Sequence, residues 1–142
     1  MKLFATIIVF VLTLQTATNT TEEVKTVKRT ITITVPNLTS NKGKVSYALY
    51  NKENFRVKPL QSKTTLVKGK MSTVTFTDVD PGEYAIVCYH DANGNGKMDF
   101  QPSGMPMEDY GISNNPMSFG PPDYETAKFI ISDKDVTLEI RF

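Results

Sequence analysis

The residues best equipped for chemistry fall in one stretch, Asp91-Ala92-Asn93-Gly94-Asn95-Gly96-Lys97-Met98-Asp99. Counted from Asp91, oxygen-bearing side chains stand at loop positions one, three, five and nine (Asp91, Asn93, Asn95, Asp99). Glycine stands at six, and Lys97 offers a backbone carbonyl at seven. A calcium loop draws its ligands from those positions, because residues alternating along a tight turn aim their oxygens into one concavity. Gly96 lets the chain bend there without a Cβ clash. Position twelve is Pro102 where such a loop uses a bidentate glutamate, and two of the four side-chain ligands are carboxylates. The affinity expected is therefore weak unless Glu108 or Asp109 folds back. The same residues also make an ion-free hairpin tip, since two Asn-Gly pairs favour tight turns. Both readings stand on the residues alone.

Other reactive residues are sparse. Cys88 and His90 share a strand face about 6.6 Å apart along the chain, a spacing at which a thiolate pair is conceivable. A lone cysteine among Ile86, Val87 and Tyr89 packs more readily as a small hydrophobe, and His90 fits an anchoring hydrogen bond. Met98, Met105, Met107 and Met117 are soft copper ligands, but at irregular spacing, and adaptable loop contacts account for them. No nucleophile elbow, phosphate-cradling glycine loop or two-histidine metal motif occurs. An enzyme would have to use paired carboxylates from Asp91, Asp99, Glu108 and Asp109 in one concave pocket.

Composition narrows the field further. The 142 residues suffice for about one domain. Sixteen basic against fifteen acidic residues argue against an electrostatic grip on nucleic acid. One cysteine and one histidine exclude a disulfide framework and the common zinc sites. Residues 1–17 run from Met1-Lys2 through an apolar core of about a dozen residues to Ala17, the order of a secretory signal peptide and too short for a spanning helix. The expected product is secreted or periplasmic, with no transmembrane span in the mature chain. Charge is segregated along the sequence: residues 91–125 carry six acids against Lys97, and residues 42–70 carry eight basic residues against Glu53. If these segments lie apart, the molecule has an acidic end for a cation and a basic face for an anionic polymer or lipid head groups.

The elements that must position these residues are strands. Residues 18–29 read as a flexible lead-in with only Val24 and Val27 apolar. Period-two alternation follows, with Ile31, Ile33 and Val35 against Thr30, Thr32 and Thr34, then Val45, Tyr47 and Leu49 against Ser46, Ala48 and Tyr50. Further runs at 63–68, 71–77, 84–90, 127–132 and 136–142 bring the total to seven candidate strands. Turns fall at Asn41-Lys42-Gly43, Lys68-Gly69-Lys70, Asp80-Pro81-Gly82 and Asp133-Lys134-Asp135. At the third, Gly82 is expected at positive φ and the Tyr84 hydroxyl is expected to bond backbone at the corner. Residues 51–62 have room for a turn of helix around Phe55 and Leu60. Residues 100–126 show no strand pattern and are too long for an ordinary connection. Tyr110, Phe119 and Tyr124 are placed to pin them as a shaped loop. Residues 30–142 are thus expected to form an all-β, antiparallel, two-sheet sandwich with one long irregular loop.

These residues resemble a known family. The run His90–Asp99, then Gly104-Met105-Pro106, Tyr110-Gly111-Ile112-Ser113-Asn114-Asn115, Phe119-Gly120-Pro121-Pro122 and Ala127-Lys128-Phe129, is similar to the bacterial exported proteins grouped as domain of unknown function 2141. So are Val35-Pro36-Asn37-Leu38 and the strand 45–50. The resemblance implies an exported sandwich of the prealbumin or immunoglobulin-like type and supplies no activity. The expected function is a non-catalytic binding or cell-envelope module for an envelope or extracellular ligand or protein. Its metal, if any, is calcium on Asp91, Asn93, Asn95, Lys97 and Asp99. Alternatives are an envelope hydrolase and a structural component of an envelope assembly.

Overall fold

The computed structural model describes residues 26–117 and 120–142. The expected signal peptide, most of the lead-in and Phe119 lie outside the described residues. Alternation becomes strand as expected. In β1 (Arg29–Val35) and β2 (Lys44–Tyr50) every second side chain is buried: Ile31, Ile33 and Val35 in the first, Val45, Tyr47 and Leu49 in the second. β4 (Ser72–Val79) does the same with Val74 and Phe76. β3 (Gln61–Leu66) is largely exposed and lies two residues earlier than its expected position. β5 (Gly82–Asp91) is followed by β6 (Tyr110–Ile112), α1 (Tyr124–Ala127), β7 (Phe129–Ile131) and β8 (Val136–Glu139).

Among the described residues the fold is all-β apart from α1, with eight strands in two sheets. One sheet has the order β4-β1-β8, and the other has β3-β2-β5-β6, with β7 also on β5. β5 is the organising strand. It pairs with β2 from Ala85 to Asp91 on one edge; on the other, β7 covers residues 82–84 and β6 covers 87–89. The inner faces meet through Ile31, Ile33, Val35, Tyr47, Leu49, Phe76, Ile86, Cys88, Ile131 and Ile140. The Tyr47 hydroxyl is buried there without a partner, and burial pushes its ionisation up to about 12. The outer face of the smaller sheet is laced by threonine pairs, Thr32 with Thr75 at 3.4 Å and Thr34 with Thr73 at 3.2 Å.

Four expectations need correction. The strands are not all antiparallel, because β8 crosses from the β7 side and joins β1 in parallel. Beside the 80–82 corner the positive φ belongs to Asp78 (58°), and a Cβ on Gly82 would crowd the Tyr84 ring at 3.2 Å. The Tyr84 hydroxyl does close the corner, donating to the Asp80 carbonyl at 2.9 Å. The long loop is not structureless: β6 and α1 divide it. The division rests on Ser113, whose hydroxyl accepts from Ile86 N and donates to the Ala127 carbonyl, so that it ties α1 to β5. Finally, the lead-in is partly engaged, since Lys28 pairs with Asp80 at 2.6 Å.

Candidate functional site

β5 ends in two buried polar residues, His90 and Asp91, each bonded to the backbone of a different turn. His90 Nε2 lies 2.7 Å from the Lys42 carbonyl, which can only accept, so the ring proton sits on Nε2 and ties β5 to the 40–43 turn. Asp91 is 2% exposed, and its carboxylate is spent on the chain's own backbone. Oδ1 accepts from Asn95 N at 3.0 Å and Oδ2 from Gly96 N at 2.8 Å. This closes the loop into a ring, with Gly94 and Gly96 at φ 74° and 77° supplying conformations that other residues avoid. Gly43 seats the ring against β2: a Cβ on it would stand 2.0 Å from the Asp91 carbonyl oxygen.

The remaining ring residues converge on Asp99. The Asn93 and Asn95 side-chain amides donate to Asp99 Oδ2 at 2.7 and 2.8 Å. Asn93 Oδ1 accepts from Asn95 N, and Asn95 Oδ1 from Lys97 N. Glu108 does fold back, its two oxygens accepting from Ala92 N and Asp99 N, each at 3.3 Å. Asp109 does not; its carboxylate accepts from Thr39 Oγ1 at 3.0 Å, and its carbonyl accepts from His90 N. The structure thus draws Asp91, Asn93, Asn95 and Asp99 into one cage with Glu108 as its strap, while the exposed Lys97 contributes its backbone N–H to a bond with Asn95. Among the described residues no group of three or more histidine, cysteine or acidic side chains is arranged to hold a metal by itself. An ion here would need amide oxygens as well. Each Asp91 oxygen retains a free lone pair, whereas the two amide oxygens are already accepting from Asn95 N and Lys97 N and would have to give up those bonds to serve as ligands.

Beyond the ring the chain forms a second, smaller hairpin. Met107 N donates to the Asp99 carbonyl, Phe100 pairs with Pro106, and Gln101 N donates to the Met105 carbonyl. This strapping places Phe100, Met105 and Met107 in solvent. Met98, Met105, Met107 and Met117 are not gathered around a common point in the core. Cys88 is buried in the apolar core, where desolvation pushes its thiol far above the ordinary range, and its Sγ donates weakly to the Gly111 carbonyl at 3.7 Å. Tyr110 pins the next loop by donating to the Gly120 carbonyl at 3.0 Å. Tyr124 donates to the Glu83 carbonyl and packs edge-on against Phe55, which meets Tyr50 edge-on in turn.

The basic and acidic segments do not occupy opposite ends. The 38–43 loop lies between the 68–71 turn and the ring: Leu38 N donates to the Lys70 carbonyl, Lys70 N to Asn41 Oδ1, and the Lys42 carbonyl meets His90. Lys42, Lys44, Lys68 and Lys70 therefore stand at the ring's end of the sandwich, and Lys52, Arg56 and Lys58 stand at the other. Gly43, Ser113 and the Lys42 carbonyl were not singled out by spacing. Gly43 left a faint signal as a turn glycine, and the other two act through contacts remote in sequence.

The profile of a bacterial family described as "Uncharacterized protein conserved in bacteria (DUF2141)" matches residues 33–139. The chain belongs to that family. The matched span runs from β1 to β8 and includes the whole ring and hairpin. No curated protein and no solved structure matches the chain.

Proposed function

We propose that this family member is an exported, non-catalytic β-sandwich module of the cell envelope, whose ring at residues 91–99 is a weak calcium site ordering a contact surface. The observation that carries this reading is the convergence of Asp91, Asn93, Asn95 and Asp99 into one cage at the end of the longest strand, strapped by Glu108 to the neighbouring hairpin. A rigid oxygen-rich loop of this kind is suited to holding a cation and to fixing what projects beyond it. A binding rather than a hydrolytic role agrees with how the carboxylates are used. Asp91 is turned onto backbone N–H groups, and Asp109 onto Thr39. Two surface grooves, lined by Thr65, Leu66, Lys68, Met71 and Thr73 and by Tyr110, Ile112, Asn115, Pro116 and Arg141 among others, include none of Asp91, Asp99, Glu108 and Asp109.

Thermal unfolding of the purified chain with and without calcium tests the metal clause. A loop without the twelfth-position glutamate falls in the weak class, Kd about 0.1–1 mM, so about 10 mM calcium should add ~1.4–2.7 kcal/mol by linkage and raise Tm by several degrees. Asp91→Asn should abolish the shift. An unchanged Tm at that concentration removes calcium from the reading. Fractionation of expressing cells tests export, and product retained in the cytosol would overturn it.

A further inference from the structure

The hairpin beyond the ring has a composition that its fold does not need. Its backbone is paired in part with itself, Gln101 N donating to the Met105 carbonyl and Gly104 N to the Gln101 carbonyl. Its apolar side chains face outward: Phe100 is 57% exposed, Met105 61% and Met107 64%. Phe100 pairs across the hairpin with Pro106, whereas Met105 and Met107 occupy the alternate positions. Side chains alternate between faces along a paired strand, so Phe100 lies on one face and the two methionines on the other. A single flat partner could cover only one of those faces. A medium that surrounds the tip covers both.

The ground around the hairpin carries both signs of charge, but the two are used differently. Its acids are turned to internal donors: Asp91 to Asn95 and Gly96, Asp99 to Asn93 and Asn95, Glu108 to Ala92 and Asp99, Asp109 to Thr39. Its lysines are not. Among the described residues, Lys42, Lys44, Lys68, Lys70 and Lys97 are all exposed and none is within ion-pair distance of a carboxylate. Exposed Leu66 and Met71 line a groove of about 460 Å³ beside Lys68 at the same end.

We propose that this end of the sandwich docks on an anionic lipid bilayer, with the 99–107 hairpin entering the interfacial layer and the lysines resting on the head groups. The inference rests on the reading above that the ring's end is the contact surface, and it names the partner. Lipid is favoured over an anionic polysaccharide because a hydrated polymer offers no apolar medium for side chains on both faces of a hairpin. Electrostatic attraction of the lysines and apolar burial of the tip supply the two contributions that stable interfacial binding needs.

The test is co-sedimentation of the purified chain with vesicles of phosphatidylglycerol and phosphatidylethanolamine, and with phosphatidylcholine vesicles as the neutral control, each with and without calcium. The chain should bind the anionic vesicles and be released by raised salt. Phe100→Ser/Met105→Ser/Met107→Ser should weaken partitioning at least ~30-fold. Lys42→Gln/Lys44→Gln/Lys68→Gln/Lys70→Gln should weaken it at least ~10-fold. Val57→Ser/Leu60→Ser, which removes exposed apolar residues at the opposite end, should leave binding unchanged. Equal binding by the hairpin variant, an equal loss in the opposite-end variant, or capture by a soluble anionic polysaccharide in place of vesicles would overturn the proposal. A calcium-dependent Tm rise without vesicle binding would sink this inference alone, and vesicle binding without a Tm rise would sink only the calcium clause.

Discussion

The sandwich and the 91–109 lobe are built on opposite principles. Between the sheets, order comes from apolar side chains removed from water: Ile31, Ile33, Val45, Leu49, Phe76 and Ile86 are all but fully buried, and the polar alternates face out. In the lobe only Asp91 is buried, and the other polar groups bond to one another near the surface beside exposed apolar side chains. Its order comes from carboxylates and amides bonded to its own N–H groups, while Phe100, Met105 and Met107 remain in solvent. The displayed hydrophobes are the side chains that the proposed bilayer contact would remove from water. Burial is non-directional and tolerant of substitution, whereas the lobe depends on directed bonds that a single atom change can break.

The contrast makes graded predictions. Phe76→Ala removes the large aromatic from the centre of the core and should cost about 3–5 kcal/mol in denaturant unfolding, collapsing the stability of sandwich and lobe together. Selective loss of the lobe would mean that the two are not one cooperative unit. Gly43→Ala sits where the regions meet. The added Cβ has no room beside the Asp91 carbonyl, and φ of 73° is unfavourable for alanine, so a cost of about 2–3 kcal/mol is expected, with faster hydrogen exchange concentrated in residues 91–99.

Asp91→Asn keeps the shape of the side chain and removes its charge, setting an amide NH2 against a backbone N–H. The expected loss is about 1.5–3 kcal/mol, with exchange at Asn95 and Gly96 accelerated and the centre of the core untouched. The smallest effect lies away from both regions. Hydrogen bonds from Lys128 and Lys52 hold the Glu125 carboxyl down at about 2. Because the folded value lies below the ordinary carboxylate value, its contribution is present above about pH 4.5 and is lost as pH falls toward 2. A shallow decline of Tm in that window, weakened by salt and flattened in Glu125→Gln, is the expected result; an unchanged slope in the variant would show that other carboxylates dominate.

Much of the fold was legible in the chain, and the reason differs by element. Strands β1, β2 and β4 declare themselves because each has one buried face, which imprints a period of two on the side chains, whereas β5 is covered on both faces and shows as a continuous apolar run. β6 is three residues, too short to show a period, and exists because β5 has a free edge beside it. The parallel union of β8 with β1 was also hidden, since pairing direction depends on how the chain crosses between sheets. In the lobe, the order of Asp91, Asn93, Asn95 and Asp99 pointed to a closed oxygen-lined turn, because its bonds run between near neighbours. Glu108 was visible only as a conditional partner, and Gly43 only as a turn residue.

Local spacing by itself determined the two-layer β architecture and the composition of the ring, since both follow from geometry repeated within a few residues. Only the tertiary structure decided that the lysines of the 38–44 and 68–70 turns share an end with that ring, and that the acids there are bonded to the chain's own donors. Those outcomes are set by strand order and long-range hydrogen bonds, which bring together residues whose separation along the chain carries no record of their meeting.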